Sequence, residues 1–556
     1  MHAFLKSEQK SDAKKLAFAN EIKKKRQQID EFHVDFIKDG VLFDTKSRDP
    51  NRPSIPEFFK GRDIFITGGT GFMGKVLIEK LVRSCPDINR IFVLMRGKRG
   101  KNVQERLEEL KNLPLFELLR TTQPKLLEKI IPVEGDVTEL QLGLSPESLK
   151  SMENVSVIFH AAASVRFDDT LQYAIILNTR GTREVMRLGE TLKKIKVILH
   201  VSTTYCNIKS KTVKEEIYPP LADWKKSIKI AETIDPYILD ILGPKYTRYM
   251  PNTYTFSKNL SEQIINDYKE RLPVICFRPS IVISTMKDPF PGWIDNFNGP
   301  VGLLVGCGMG ITRTMYCNKD NIADFTPVDV SIKAMIVAAW KRAIDGDTKE
   351  LPVYNSSTST IRQISMEGIV MSAKDLSENM PLEKMIWAPG GSIAMFRITN
   401  FIKTILFHIL PAVLIDYGLK LTGRAPFVLG LQRKVYNANC ALEYFILNNW
   451  KFLNVNFLSL DNEIKEKDIR DFHYTDFVQF DMMLYLKNCI LGGKRYLLGE
   501  KDENIPYAKA NYEMMKKLDF TVKATIFLVI FYFTVIHYDC VGIFRKFVLE
   551  IFALTK

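Results

Sequence analysis

The chain has 556 residues and a formal net charge of +14, and 46% of its residues are hydrophobic. This length suggests roughly three domains, and the apolar content is sufficient for a large core. The positive charge suits a membrane surface or a phosphate-rich substrate, but neither zinc-finger spacing nor an aromatic-plus-basic module accompanies it, which argues against nucleic acid as a partner.

The cysteine pattern and the first residues indicate the compartment. Eight cysteines are scattered along the chain, and none forms a C-x-x-C pair. This pattern predicts free thiols in a reducing compartment rather than a disulfide framework or a metal site. Residues 1–58 form a polar, lysine-rich extension without the apolar core of a signal peptide. We therefore expect the bulk of the protein to face the cytosol.

Apolar strands alternate with helical segments between residues 59 and 360. We expect the strands at residues 63–67, 91–95, 130–133, 155–160, 197–202 and 274–277. Near-continuous apolar strands separated by helices indicate an α/β fold, a doubly wound parallel sheet of the Rossmann type. Residues 59–360 are therefore predicted to bind a nucleotide at the carboxyl ends of the strands. The polar insertion at residues 205–251 forms either a substrate lid or surface decoration.

The first strand leads into a glycine-rich turn at residues 67–74, Thr-Gly-Gly-Thr-Gly-Phe-Met-Gly, and a helical segment follows. Glycines permit a tight turn and a close approach of the backbone to a pyrophosphate at the helix N-terminus. The spacing differs from the more common G-x-G-x-x-G, and such a turn alone is weak evidence. Its place between a strand and a helix favours a cofactor site. The residues assigned to it are Gly68, Thr70, Gly71, Phe72, Met73 and Gly74.

The ends of the next strands indicate which nucleotide binds. Arg96 stands where NAD-binding folds usually carry an acid for the ribose 2′-hydroxyl. An arginine accommodates a 2′-phosphate, so we expect NADPH; an idle surface arginine is the alternative. Asp136 and Val137 follow the third strand, where a short acidic side chain can hydrogen-bond the adenine. Ala162 follows the fourth strand, where small residues let the backbone run alongside the cofactor.

A phenol, an ammonium group and a hydroxyl form the candidate catalytic set. Tyr254 and Lys258 are four residues apart, which places them on one face of a helix. The lysine is expected to lower the pKa of the phenol, which can then pass a proton to a carbonyl oxygen as hydride reaches the carbon. For the hydroxyl that polarises the carbonyl, Thr203 is the first choice and Ser202 the second. The alternative is a hydroxyl that only caps a turn.

The second half of the chain reads mostly as helices, and residues 370–515 are predicted to form a smaller helical domain. Residues 524–544 are apolar and long enough to cross a bilayer, which predicts a membrane segment at 521–544; a buried core helix is the alternative. Basic residues on both sides leave its orientation open. Residues 393–414 are also apolar, but charged side chains interrupt them. They form either an amphipathic helix in the membrane interface or an ordinary packed helix.

Three stretches of the chain resemble the extended short-chain dehydrogenase/reductases. They are residues 67–74, His-Val-Ser-Thr at 200–203 and Tyr-Thr-Phe-Ser-Lys at 254–258. More narrowly, the chain resembles the alcohol-forming fatty acyl-CoA reductases from about residue 55 to its end. The supporting stretches are residues 178–182, 278–282 and 291–300, together with 408–412 and the following Asp416.

The resemblance implies a four-electron reduction of long-chain acyl-CoA to a fatty alcohol with two NADPH, through an enzyme-held aldehyde and with release of CoA. It implies that Thr203 and Tyr254 stabilise the oxyanion, that Tyr254 supplies the alcohol proton, and that Lys258 holds Tyr254 and the ribose. It also implies a membrane of the endoplasmic reticulum or peroxisome. The final Leu-Thr-Lys is not the Ser-Lys-Leu signal, so we expect the endoplasmic reticulum.

Two other interpretations stay open on the sequence. One is a different membrane-bound member of the superfamily, such as a sterol dehydrogenase or a sugar-nucleotide epimerase. The other is a non-catalytic membrane scaffold that has kept the nucleotide-binding fold, since a fold does not by itself establish an activity. The Tyr254/Lys258 pair argues against the scaffold, because a scaffold has no need of a tuned phenol.

Overall fold

The computed structural model describes residues 51–98, 100–346, 350–361, 363–478 and 481–537, with 542, 545 and 546. The chain divides into two compact units. The first unit consists of the described residues up to Trp293, together with Ile322–Ile364 and Asn449–Asp481. The second unit consists of Ile294–Asn321, Ser365–Asn448 and the described residues from Met482 onward. This division differs from the contiguous domains predicted at 59–360 and 370–515. The chain passes between the units several times, which a local pattern of apolar residues does not reveal.

The strands of the structure lie mostly in the first unit. They are β1 (Asp63–Thr67), β2 (Arg90–Met95), β3 (Ile130–Glu134), β4 (Val155–His160), β5 (Val197–Val201), β6 (Thr212–Val213), β7 (Val274–Pro279), β8 (Ile281–Ile283), β9 (Thr314–Tyr316), β10 (Phe325–Pro327), β11 (Val353–Ser356), β12 (Ser392–Ala394) and β13 (Lys451–Phe452). The seven-stranded sheet has the order β11-β7-β5-β4-β1-β2-β3, and all its neighbours pair in parallel.

The structure has α-helices in both units. They are α1 (Ile55–Phe59), α2 (Phe72–Ser84), α3 (Val103–Lys111), α4 (Glu117–Thr122), α5 (Pro146–Ser151), α6 (Leu171–Ala174), α7 (Gly181–Thr191), α8 (Trp224–Thr233), α9 (Pro236–Tyr246), α10 (Thr253–Tyr268), α11 (Gly299–Gly308), α12 (Val328–Asp345), α13 (Met366–Asn379), α14 (Arg397–Thr404), α15 (Leu410–Leu421), α16 (Val428–Leu447), α17 (Val455–Ser459), α18 (Ile469–Phe472), α19 (Met482–Gly492) and α20 (Ile505–Phe531). In the first unit, α2 packs against α12, and α7 packs against α10.

The predicted doubly wound parallel sheet is confirmed, and β1 and β4 have the predicted bounds. All residues of both strands are buried, as expected for a parallel sheet with helices on its faces. The edge strand β11 was not predicted, because its Val-Tyr-Asn-Ser sequence has no continuous apolar run and its pairing with β7 defines it. The carboxyl ends of β1, β4 and β5 lie side by side and carry the candidate site.

The start of the first unit differs from the predicted polar extension. Helix α1 is capped by the Ser54 side chain, and its residues Ile55 and Phe59 are fully buried. The predicted boundary at residue 58 therefore falls inside a helix that belongs to the core. Residues 1–50 of the predicted extension lie outside the described residues.

Two helical stretches of the second unit are long and apolar enough to cross a membrane. They are Arg397–Leu421, with 25 residues, and Asp502–Val535, with 34 residues. The second includes α20, so the helix begins well before the predicted start at residue 521. No residue in its most apolar window is buried, which contradicts the alternative of a buried core helix. Residues 538–541, 543 and 544 of the predicted segment lie outside the described residues.

Candidate active site

The glycine turn after β1 forms a cradle of closely packed backbone. Gly68 has a φ of +76°, and a Cβ there would lie 2.6 Å from the peptide bond between residues 161 and 162. A Cβ on Gly74 would collide with the carbonyl oxygen of Gly68. Helix α2 begins at Phe72. Its N-cap residue is Gly71, so no side chain caps the helix, and its first turn contains no acidic residue. The cradle fits a dinucleotide pyrophosphate, because the helix N-terminus favours negative charge and the glycines leave room for it.

The remaining residues of the turn have distinct surroundings. The Phe72 ring stacks on the ring of Trp293, with centroids 5.4 Å apart. Trp293 is buried and lies in the stretch 291–300, which thus packs against the glycine turn through this ring. Thr70 and Met73 are half-buried. The turn is therefore held by packing from one side.

Arg96 and Asp136, which were predicted to contact different parts of the cofactor, form an ion pair with each other. The Nη1 of Arg96 lies 2.7 Å from the Oδ2 of Asp136. The backbone N–H and the hydroxyl of Thr138 both donate to Asp136 Oδ1 at 2.9 Å. Arg96 is 54% exposed, so its guanidinium group has the freedom to turn towards a phosphate while Thr138 holds the carboxylate.

Val137 and Ala162 are placed differently from each other. The side chain of Val137 belongs to the hydrophobic core, so its backbone is the part that faces a bound ligand in any cofactor role. The Ala162 N–H donates to the Thr67 hydroxyl at 3.3 Å, at the carboxyl end of β1. The same hydroxyl lies 2.7 Å from Nδ1 of His160, the last residue of β4. These bonds join the ends of the two strands beneath the cradle.

The predicted catalytic residues meet at the end of β5. Tyr254 and Lys258 lie on α10, one turn apart. The Tyr254 hydroxyl shares a hydrogen bond with the side chain of Thr203. The Nζ of Lys258 donates to the carbonyl oxygen of Val201 at 2.6 Å. The structure therefore brings Tyr254, Lys258 and Thr203 together beside the sheet edge that carries the glycine turn.

The pKa of the Tyr254 phenol is raised, whereas the sequence predicted that it would be lowered. Burial raises the pKa of Tyr254, and the hydrogen bond from Thr203 opposes this only in part. The expected lowering of the Tyr254 pKa by Lys258 is therefore wrong, because burial raises this pKa and the contribution that opposes burial comes from Thr203 rather than from the lysine. Burial also lowers the pKa of Lys258 to about 8. A protonated phenol and a mostly charged lysine are thus the forms near pH 7.

The Ser202 side chain belongs to a buried polar network that the sequence did not indicate. Its hydroxyl donates to Glu262 Oε1 at 2.6 Å. Glu262 also forms a two-point ion pair with Arg278, with both N–O distances 2.7 Å and both side chains fully buried. Burial raises the pKa of Glu262, but the charge and hydrogen bonds of Arg278, together with the hydrogen bonds from Ser202 and Cys206, hold the pKa below its usual value. Ser202 therefore supports the end of β5, which leaves Thr203 as the hydroxyl beside the phenol.

Asn178 is a second residue that the sequence analysis did not assign to the site. It lies on a π-helical turn, Ile175–Arg180, between α6 and α7. Its Nδ2 donates to the Ser257 hydroxyl at 2.9 Å, and its Oδ1 accepts from the Ser164 N–H at 3.0 Å. The Ser257 hydroxyl in turn donates to the carbonyl oxygen of Tyr254. Asn178 therefore fixes the first turn of α10, which carries the phenol.

Titratable groups near the site do not form a metal centre. Among the described residues, no group of three or more His, Cys, Asp or Glu side chains could hold a metal ion. The rings of His160 and His200 lie tilted against each other, with centroids 5.1 Å apart. Burial, and then the charge of Lys258, lowers the pKa of both imidazoles. Both rings are therefore neutral at pH 7. The seven described cysteines are free thiols, as predicted.

The second unit contains an apolar pocket between α11, α13 and α19. Its cavity volume is about 40 Å³, and it is partly open to solvent. Its lining includes Val305, Ile369, Ala373, Met380 and Ile490. A cavity of this volume has room for a few water molecules and is far smaller than the pockets of about 300–1,000 Å³ that hold small-molecule ligands. No motif of the sequence indicated it, because its lining comes from three separate parts of the chain.

The family models and the relatives that match this chain agree with one another. Two family models described as male sterility protein, the first an NAD-binding domain, match residues 66–335 and 407–500. The chain is 36% identical to fatty acyl-CoA reductase 1 of Xenopus laevis, over 84% of this chain and 90% of the relative. It is 35% identical to fatty acyl-CoA reductase 1 of Homo sapiens, over 86% of this chain and 92% of the relative. The fatty acyl-CoA reductase wat of Drosophila melanogaster is 32% identical over 88% of this chain and 93% of its own length.

Solved structures support the fold. The reductase domain of a non-ribosomal peptide synthetase from Mycobacterium tuberculosis matches with a TM-score of 0.53. The match covers 83% of this chain and 96% of that domain at 19% sequence identity. At this identity the likeness establishes the shared architecture, the parallel sheet with its helices, and nothing about the ligand.

Proposed function

The chain belongs to the fatty acyl-CoA reductase family, and on this premise we propose that it reduces long-chain fatty acyl-CoA to the fatty alcohol with NADPH. The observation that carries the proposal is the cluster of Tyr254, Lys258 and Thr203 on the sheet edge with the glycine cradle. The cradle and the exposed Arg96 suit a phosphorylated dinucleotide. When bound, this cofactor supplies the hydride.

The residues of the chain have defined tasks in the first reduction. Thr203 and Tyr254 donate hydrogen bonds to the thioester carbonyl oxygen and stabilise the negative charge that develops as hydride adds to the carbon. Tyr254 then transfers its proton to that oxygen, which gives a hemithioacetal. The carbon–sulfur bond breaks as the hemithioacetal hydroxyl returns its proton to the Tyr254 phenolate. CoA leaves as the thiolate, which takes a proton from solvent, and an aldehyde is the other product.

The second reduction uses the same groups. As the second hydride reaches the aldehyde carbon, Tyr254 donates a proton to the oxygen, which gives the alcohol, and the phenol then regains a proton from solvent. The raised pKa of Tyr254 suits this role, because the phenol stays protonated until negative charge appears beside it. Lys258 positions the Tyr254 phenol and the ribose of the cofactor relative to each other. An aldehyde held in the site is reduced faster than one released to solvent, because it needs no second encounter.

The purified full chain in detergent, supplied with NADPH and a panel of acyl-CoAs, tests this function. We expect two NADPH oxidised for each alcohol formed, with NADPH followed by absorbance and products by mass spectrometry. Oxidation of NADPH only with a sterol or a sugar nucleotide would overturn the acyl-CoA assignment. An aldehyde as the final product, with one NADPH consumed, would overturn the second reduction.

Arg96 is proposed to select NADPH through its 2′-phosphate. Replacing Arg96 with alanine is expected to lower kcat/KM for NADPH about tenfold or more, since an arginine–phosphate contact is a charge-assisted hydrogen bond worth about 1.5–3 kcal/mol. The value for NADH is expected to change less than about twofold, because NADH has no 2′-phosphate. Steady-state kinetics with both cofactors measures the difference.

A matched control for Arg96 is Arg271, which is 55% exposed and forms an ion pair with Glu190 at 2.6 Å. Arg271→Ala removes the same charge from an equally exposed position, and it is expected to leave the preference between the two cofactors unchanged. An equal loss for NADH and NADPH in Arg96→Ala would contradict the assignment of Arg96 to the 2′-phosphate.

We also propose that the Asp502–Val535 stretch, with the residues that follow it, anchors the protein in the endoplasmic reticulum membrane. Its length and its exposed apolar surface support this. The free thiols suit a catalytic domain in the reducing cytosol. Cell fractionation against markers of the endoplasmic reticulum and the peroxisome separates the two organelles, and recovery with the peroxisomal marker would overturn the first choice.

A further inference from the structure

The helical run Arg397–Leu421 buries polar side chains near its middle and exposes large apolar side chains along its length. It consists of α14, a π-helical turn at Ile405–Ile409, and α15. His408, Ala412 and Asp416 are buried against the second unit. The usual surface helix has the opposite arrangement, with apolar residues inward and polar residues outward.

Hydrogen bonds hold the polar side of this run to the second unit. The backbone N–H groups of Arg313 and Thr314 donate to His408 Nε2 at 2.8 and 3.2 Å. The Thr314 hydroxyl donates to Asn400 Oδ1 at 3.0 Å. Asp416 accepts from three backbone N–H groups at the start of α16, each at 2.9 Å. The polar residues are therefore structural and fix which side of the run faces outward.

The π-helical turn keeps these polar residues in line. Asn400, His408 and Asp416 are spaced by eight residues, and in an uninterrupted α-helix positions eight apart drift by about 80° around the axis. The wider turn at Ile405–Ile409 offsets part of that drift, because its hydrogen bonds close over five residues rather than four. The opposite side of the run stays apolar from one end to the other for the same reason.

The exposed side carries large apolar side chains along its whole length. Phe401 is 58% exposed and Leu421 is 72% exposed, and Leu406 and Leu414 are exposed between them. A continuous apolar surface of this extent is unusual on a protein that meets only water, and it marks a contact with another apolar phase.

The charges of the run indicate phospholipid as that phase. Arg397 and Lys420 are exposed near its two ends, and Arg424 follows in the exposed loop. The one acidic residue between residues 397 and 424 is Asp416, which is buried and bonded to backbone N–H groups. An apolar face with cations at its ends and without exposed carboxylates is complementary to acyl chains bordered by phosphate headgroups.

We propose that the Arg397–Leu421 run lies in the plane of a phospholipid membrane interface, with its exposed apolar side among the upper parts of the acyl chains. A spanning arrangement conflicts with the structure, because it would carry His408, Asp416 and the backbone that they bind into the hydrocarbon. This inference goes beyond the proposed function and does not depend on the reaction that the first unit catalyses.

Spin labels on the full chain in phosphatidylcholine/phosphatidylserine vesicles test the orientation. Single cysteines replace Phe401, Leu406, Leu414 and Leu421 in a background with Cys440→Ser and Cys540→Ser. Label depth is measured from the relative effects of oxygen and a water-soluble nickel complex on the spin relaxation. A label on Asp375→Cys, an exposed position on α13 of the same unit, is the aqueous control.

We expect the four labels to report one shallow depth below the headgroups, while the control label stays in water. Residues 401 and 421 are separated by about 30 Å along a helix, which equals the thickness of the hydrocarbon core. Depths that run from one leaflet to the other would overturn the proposal in favour of a spanning helix. Labels fully accessible to nickel, or accessible to neither reagent because protein covers them, would also overturn it. NADPH oxidation by the same samples is a separate readout, so loss of reductase activity is not confused with loss of membrane contact.

Discussion

Replacing Tyr254 with phenylalanine is expected to lower kcat for acyl-CoA reduction by roughly a thousandfold, while the Kd for NADPH changes less than about threefold. The phenylalanine ring keeps the packing against Phe167, whose centroid lies 6.3 Å from that of Tyr254. It loses the hydroxyl that shares a hydrogen bond with Thr203 and is proposed to supply the proton. Single-turnover kinetics measures the chemical step, and a fluorescence titration measures cofactor binding.

Tyr249→Phe is the matched control for this substitution. Tyr249 is 74% exposed and belongs to the same unit, so removal of its hydroxyl is expected to change kcat less than about twofold. If Tyr254→Phe retained more than a tenth of the wild-type turnover, Tyr254 would not be the proton donor. A parallel loss of NADPH affinity would place the residue in cofactor binding instead.

Replacing Gly74 with alanine is expected to weaken NADPH binding by at least about thirtyfold and to lower turnover at subsaturating cofactor by a similar factor. The new Cβ would collide with the Gly68 carbonyl oxygen and lie 2.6 Å from the Gly69 Cα. Both obstacles are backbone atoms of the cradle, so the turn itself has to move away from the position that fits the pyrophosphate. Isothermal titration with NADPH measures the affinity.

Gly430→Ala separates this steric effect from the general effect of a glycine-to-alanine change in a helix. Gly430 lies on α16, and a Cβ there would meet nothing within 4 Å. Alanine favours a helix over glycine by about 1 kcal/mol, so this variant is expected to be as stable as the wild type or more stable. A melting experiment with and without NADPH completes the test. Wild-type stabilisation of Gly74→Ala by NADPH would contradict the cradle assignment.

The parallel sheet could be predicted from the sequence because the apolar run that marks each strand is local. Strands β1 and β4 are runs of apolar residues, and burial on both faces of a parallel sheet demands such runs wherever they pair. The edge strand β11 lacks this signal because pairing with β7 defines it. The division into units was also inaccessible, since contacts between distant segments such as Asn449–Asp481 and the sheet unit determine it.

Part of the candidate site could be predicted from the sequence for a related reason. Tyr254 and Lys258 are one helical turn apart, and Gly68, Gly71 and Gly74 follow a strand directly, so spacing alone relates them. The choice between Ser202 and Thr203 required the structure, because Glu262 is sixty positions from Ser202 and takes its hydroxyl. The direction of the Tyr254 pKa required it too, since burial is set by everything that packs around the phenol.

The sequence by itself determined the parallel sheet, the glycine turn and the Tyr254/Lys258 pair, because each depends on residues that are close along the chain. Only the tertiary structure decided which hydroxyl accompanies the phenol, how the chain is shared between two units, and which side of Arg397–Leu421 faces outward. The physical reason is that burial and hydrogen-bond partners arise from segments far apart in the chain. A π-helical turn and two buried polar side chains, His408 and Asp416, reverse the usual arrangement of a surface helix there.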